Sequence, residues 1–132
     1  MPKRKSEFEH SAILEMLGNS LYAKDRNPDM EALTDIKVDL DGFHKPSEIA
    51  GPGSEASDVP DATARGEKLY IYEVETADSI KDEHTEHQWT LFSNYAKEND
   101  GIFYVAVPPL NVWDARMRLK ELSLEGTVIS VP

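Results

Sequence analysis

The six residues Ile102-Phe103-Tyr104-Val105-Ala106-Val107 constrain this chain more than any other segment. Gly101 precedes them and Pro108-Pro109 stops them, which limits the run to the length of one strand. Almost every position is apolar, so neither face suits water. Such a strand is expected to be buried on both faces, as in the interior of an α/β sheet.

The flanking sequence supplies helices. Asp82 to Asn99 predicts a helix whose apolar stripe is Trp89, Phe92, Tyr95 and Ala96, broadened by Leu91 and ended by Asn99-Asp100-Gly101. Asn111 to Leu122 predicts another, with Asn111 as its cap. Near the start, Ser6 to Leu21 reads as an amphipathic helix with Phe8, Ala12, Ile13, Met16 and Leu17 on one stripe and a stop signal at Gly18-Asn19. Strands are expected at Ala32 to Leu40, at Ala62 to Ala64, at Lys68 to Thr76 and at Val128 to Val131. The first alternates, with Ile36, Val38 and Leu40 inward, and suits an edge or outer position. The second and third form a hairpin about Arg65-Gly66-Glu67. Residues 41–60 hold Gly42, Pro46, Gly51, Pro52, Gly53 and Pro60 among serines and acids, and read as one long exposed loop. The predicted order is α-β-β-β-α-β-α-β in a single domain of 132 residues, since only about 40 residues precede the loop and cannot form a second core.

Charge narrows the function classes. The chain has 14 basic and 25 acidic residues, a net charge of -11, which is the wrong sign for non-specific adhesion to a phosphate polymer. The acid concentrates between residues 25 and 61, where Arg26, Lys37 and Lys45 are the only bases. Basic residues gather at Lys3-Arg4-Lys5, a short arm, and at Arg116, Arg118 and Lys120. Cysteine is absent, which excludes disulfides, thiol catalysis and thiolate metal centres. No apolar run reaches the ~20 residues of a membrane span, and Ser6-Glu7-Phe8-Glu9-His10 stands where a secretion signal would be apolar. A cytoplasmic protein without membrane attachment is expected.

The strand at 68–76 carries the candidate chemistry. Alternation puts Leu69, Ile71, Glu73 and Glu75 on one face and Tyr70, Tyr72, Val74 and Thr76 on the other, where the tyrosines are expected to pack under a helix. Two residues of strand rise separate the Cα atoms of Glu73 and Glu75 by about 6.6 Å, close enough to share a cation or a water. The hairpin brings Asp61 alongside. Three acids with carbonyl and water oxygens make the ligand set of a hard divalent cation such as Mg²⁺ or Mn²⁺. On spacing alone the solvated strand end is the stronger reading.

The pattern Pro60-Asp61 followed by Glu73-Val74-Glu75 resembles the PD-(D/E)xK nuclease signature. The resemblance extends to Glu9 within Phe8-Glu9-His10, and to Glu86-His87-Gln88 through Tyr95-Ala96-Lys97 followed by Gly101 and an apolar strand. Within that superfamily the chain looks most like archaeal-type Holliday-junction resolvases and small phage or mobile-element nucleases, over about four-fifths of its length. The resemblance implies a restriction-endonuclease-like core, with a central mixed sheet of four to five strands flanked by helices. It implies that Asp61 and Glu73 hold the metal, with the Val74 carbonyl as a third ligand and Glu9 reaching it through water. Glu75 departs from the usual lysine. Some restriction enzymes of the superfamily carry Glu there, as a general base or second-metal ligand. Gln88 takes the place of a polar group facing the site, and Lys81 is the nearest cation able to swing in.

The expected activity is metal-dependent hydrolysis of phosphodiester bonds in DNA, branched DNA included, with Asp61, Glu73 and Glu75 as the catalytic group. The alternative is an inactive nuclease-like domain that binds a protein partner or regulates. A nuclease this small is expected to work as a homodimer. His84 and His87 offer a separate zinc-like pair, which as surface histidines need bind nothing. Arg116 and Lys120, four apart, suit either phosphates or a solvated face.

Overall fold

The computed structural model describes residues 5–23, 32–51 and 57–131. Lys3 and Arg4 of the basic arm, and residues 52–56 of the expected loop, lie outside the described residues. Among the described residues the order is α1 (Lys5–Tyr22), β1 (Thr34–Val38), β2 (Ile49–Ala50), β3 (Ser57–Asp58), β4 (Ala62–Arg65), β5 (Leu69–Val74), α2 (Glu83–Glu98), β6 (Ile102–Val107), α3 (Val112–Glu121) and β7 (Thr127–Ser130). The fold is α/β. Five strands form one mixed sheet in the order β1-β4-β5-β6-β7, and β2 pairs with β3 apart from it.

The β1-β4-β5 half is antiparallel, whereas β5, β6 and β7 run parallel. The change of direction follows from the connections. β4 and β5 are joined by a tight turn, with Arg65 opposite Leu69 and Ala62 opposite Tyr72. The helical crossovers α2 and α3 return the chain to the same end of the sheet each time. Crossovers of one hand stepping the same way across a sheet put both helices on one face. That face buries Ile71, Trp89, Phe92, Phe103, Val105, Ala115 and Leu119 together. α1 covers the opposite face, where Ile13, Leu14, Leu17 and Leu21 meet Val38, Tyr70, Tyr72 and Val74. β6 matches the apolar run residue for residue and is covered on both sides, as its composition requires.

Two expectations change. The buried stripe of α1 is Ile13, Leu14, Leu17 and Leu21, while Phe8 and Met16 are 63% and 44% exposed. At about 100° per residue Ile13, Leu14, Leu17 and Leu21 fall within one arc of about 100°, and Met16 lies roughly 110° from its centre, so the helix turns that arc inward. The 41–60 segment is not one exposed loop either. Ile49 is buried in the α2 cluster and pairs through β2 with Asp58 of β3, because an apolar side chain beside Trp89 gains more from burial than from solvent. β1 is an edge strand, as its alternation suggests, and Asp35 at φ 53 marks an irregularity in its pairing with β4.

The end of α2 shows how sequence signals are spent. Asp100 takes the left-handed position at φ 51, and Gly101 serves for clearance, since a Cβ there would stand 2.6 Å from the Leu69 carbonyl oxygen. Gly101 lets β6 start flush against β5. Asn111 occupies the cap position of α3 without a side-chain hydrogen bond, and a 3-10 turn at Pro109–Asn111 leads in instead.

Candidate functional site

The carboxylates converge where β5 leaves the sheet. Ala62 pairs with Tyr72, so the next step of the hairpin sets Asp61 beside Glu73. The two strands are tied twice here: the Asp61 amide donates to Glu73 Oε1 at 2.9 Å, and Asp61 Oδ2 accepts the Val74 amide at 2.8 Å. Glu75 continues the parallel ladder by donating its amide to the Ala106 carbonyl at 3.0 Å. Its carboxylate is held on both oxygens, by the Trp89 indole N–H at 2.9 Å and by the Ser79 hydroxyl at 2.7 Å. Glu73, Glu75 and Asp61 line one cavity of about 480 Å³, walled on one side by Glu7, His10 and Ser11 of α1 and on the other by Asp82, His84, Thr85 and Gln88 around the start of α2.

Burial decides the electrostatics. Glu73 and Glu75 are 3% and 4% exposed. Burial raises the Glu73 carboxyl well above the usual carboxylate range, and the charges of Asp61 and Glu75 add to the rise. Burial likewise raises Glu75, from 4.5 to about 7, although the hydrogen bonds from Trp89 and Ser79 pull the other way. His10 contacts Asp61 Oδ2 through Nε2 at 3.2 Å. That bond raises the His10 pKa above 6.5 against the opposing effect of its burial.

The positions divide as follows. Asp61, Glu73, Val74, Glu75 and Gln88 all line the cavity. Gln88 donates to Asp58 Oδ2 at 3.0 Å, which anchors α2 to β3 at the rim. Glu9 is exposed and outside the cavity lining, and so is Lys81. Helix phase accounts for Glu9: it falls about 100° from the centre of the buried face of α1, whereas His10 falls on that centre, three residues before Ile13. His10 is the site residue that motif reading passes over, and its position one turn ahead of Ile13 and Leu14 is the signal that finds it. His84 and His87 do not form a pair at the site. His84 faces Asp58 at 3.8 Å, and His87 is exposed outside the cavity.

Asp61, Glu73 and Glu75, with Glu7, Asp78 and Asp82 in the same lining, give the cavity carboxylate oxygens of the kind a hard divalent cation takes. Among the described residues no group of three or more histidine or acidic side chains is gathered closely enough to be a ready-made metal cage. Asp61 Oδ2 and Glu73 Oε1 point at backbone amides. No protein-family model, curated protein or solved structure matches the chain. Among the described residues, no helix is long and apolar enough to cross a membrane.

Proposed function

We propose that this chain is a Mg²⁺- or Mn²⁺-dependent nuclease with a restriction-endonuclease-like core. The reading rests on two bonds across the hairpin, from the Asp61 amide to Glu73 Oε1 and from the Val74 amide to Asp61 Oδ2, which fix two carboxylates side by side in the wall of one cavity. The arrangement has the sequence order of the PD-(D/E)xK signature, and β5 sits in a mixed sheet. Asp61, Glu73 and the Val74 carbonyl would hold the metal. When bound, a divalent ion supplies a Lewis acid for the phosphoryl oxygen and acidifies an attacking water. Glu75, poised near neutrality and fixed by Trp89 and Ser79, accepts or orients the proton of that water. His10 steadies Asp61 and, when protonated, contributes the positive charge that the missing lysine would bring. Glu9 and Lys81 take no part in this reading.

One observation favours a second reading. Both Glu75 oxygens are engaged inside the protein, so the residue already has a structural role without any reaction. The chain would then be an inactive nuclease-like domain that recognises a partner. Calorimetry with Mg²⁺ and Mn²⁺ on wild type and Asp61→Asn, followed by incubation with branched, single-stranded and duplex DNA, separates the two. Metal binding and cleavage that vanish together in the variant support the nuclease. Their joint absence from the wild type leaves the binding domain. Sedimentation at micromolar concentration tests the homodimer expected of so small a nuclease.

A further inference from the structure

Trp113 stands in the first turn of α3 with 70% of its surface exposed, and Leu110 in the preceding 3-10 turn is 94% exposed. Arg116 and Lys120 follow Trp113 at three and seven residues, the spacing that aligns side chains on one helix face. An aromatic ring and two cations therefore stand in line over about 10 Å of helix. Both cations are exposed, and neither forms an ion pair with another described residue. Arg118, on an adjacent face, is already committed to Glu86 and Glu121 at 3.8 and 3.5 Å.

The ground beside this stripe has an unusual charge for this protein. Arg116 and Lys120 wall a depression of about 380 Å³ between α3 and β7, completed by Leu124, Gly126 and Thr127 among others, and no carboxylate lines it. In a chain with 25 acidic residues against 14 basic ones, a surface hollow holding two cations and no acid selects an anion. The indole of Trp113, three residues before Arg116, selects further, because an exposed ring beside spaced cations matches a strand of bases and phosphates.

Topology puts this surface within reach of the carboxylates. β5 and β6 are parallel, so the end of β5 that carries Glu73 and the end of β6 that leads through Pro108 into α3 lie on the same rim. The strand spacing places the start of α3 roughly 10 Å along that rim, a few nucleotides from the cavity. The geometry points to α3 as a second contact for an unpaired nucleic-acid strand whose scissile phosphate sits at Asp61 and Glu73. Trp113 stacks on a base, and Arg116 and Lys120 neutralise the phosphates beyond it. This assignment rests on the nuclease reading of the cavity, and its test is separable from it.

The test is binding of a labelled oligothymidylate with a chelator present, so that neither metal nor cleavage enters. The chain has two tryptophans, and Trp89 is fully buried, so quenching of the exposed emission reports Trp113. Binding with quenching is expected in the wild type. Trp113→Ala weakens it about tenfold or more, whereas Trp113→Phe retains most of the affinity. Arg116→Ser with Lys120→Ser lowers the slope of log affinity against log salt by about 1.4, the share of two phosphate contacts on a single strand. Binding without quenching, or equal affinity across these variants, overturns the assignment. So does equal binding of a polyglutamate peptide, or protection of Trp113 by self-association before any oligonucleotide is added. Loss of cleavage in Asp61→Asn with no effect at α3 leaves the nuclease and removes this contact. Quenching through Trp113 by a wild type that never cleaves keeps the contact and removes the nuclease.

Discussion

One strand builds two unlike surfaces. Towards α1, β5 presents Tyr70, Tyr72 and Val74, apolar to the end, with Tyr72 stacked on Tyr104 at 5.1 Å. Towards α2 it presents Ile71 and then Glu73, after which Glu75 follows on the same face. Exposure does not distinguish the two sets, since Tyr72 is 4% exposed and Glu73 3%. Chemistry does. Burial stabilises the tyrosine face by roughly 25 cal/mol per Å² of apolar surface, while it destabilises the charged form of each carboxylate on the other. Two buried acids there cost the fold stability that the tyrosine face gains, which is why the proposed function is placed on the second face.

The largest expected effect breaks that trade at its centre. Glu73→Gln keeps the shape and removes a carboxylate that burial and neighbouring charge hold well above its usual range. On the nuclease reading, cleavage falls by about 10³-fold, because a ligand to the catalytic cation is lost. Stability moves in the opposite direction. A raised folded pKa means stability present in acid and lost as pH rises, so the glutamine, which cannot ionise, makes the metal-free protein more stable in alkali than the wild type. Chemical denaturation at alkaline pH checks this, and a variant less stable than wild type there would contradict the account of Glu73.

The apolar part of the same face gives the next effect. Ile71 is fully buried between β6 and α2 neighbours, and Ile71→Ala is expected to lose about 3 kcal/mol of stability through lost transfer energy and the cavity left behind. The loss is the same at pH 5 and pH 8, which separates packing from titration. Urea midpoints with an unchanged m value measure it, and a loss under about 1 kcal/mol would mean the face is not close-packed.

Glu75 sharpens the comparison through pH. Its folded pKa is raised from 4.5 to about 7, so its contribution is fully present below pH 4.5 and is lost as pH climbs through about 7. The swing is on the order of 3 kcal/mol for a group this buried. His10, raised by its bond to Asp61, acts in the same direction, since its stabilisation also fades as pH rises through its folded pKa. The metal-free protein is therefore expected to unfold more easily at pH 8 than at pH 5, and Glu75→Gln to remove its own part of that slope, the rest coming from Glu73 and His10. A wild type equally stable at both values would show that Glu75 is not buried as described.

The two surfaces also differ in how much of them a reader of the sequence can see. The tyrosine face and β6 are legible from alternation and from the six-residue apolar run, because a local period reports which way a strand's side chains point. The hairpin that sets Asp61 beside Glu73 is legible for the same reason, through Arg65-Gly66-Glu67. What completes the site is not local. His10 depends on the phase of α1, which Leu14 and Leu21 fix by packing on the sheet and not by any motif. The link from Gln88 to Asp58 spans 30 residues and requires β2 and β3 to fold back, which their Gly/Pro-rich surroundings conceal. The partners of Glu75 lie on the following turn and on α2, so the strand's own spacing says nothing about them.

The smallest expected effect tests those partners directly. Ser79 Oγ donates to Glu75 Oε1 at 2.7 Å and accepts the Thr76 amide at 3.0 Å, closing the turn after β5 around the carboxylate. Ser79→Ala removes a donor that favours the charged form of Glu75, so the midpoint of its titration moves above about 7. The stability loss is about 1 to 2 kcal/mol at high pH, where a buried charge has lost a hydrogen bond, and smaller in acid, where the carboxyl is neutral. Parallel denaturation curves at pH 5 and pH 8 measure the difference. A loss equal at the two values would assign Ser79 to the turn alone, and the carboxylate face would then be held by Trp89 without it.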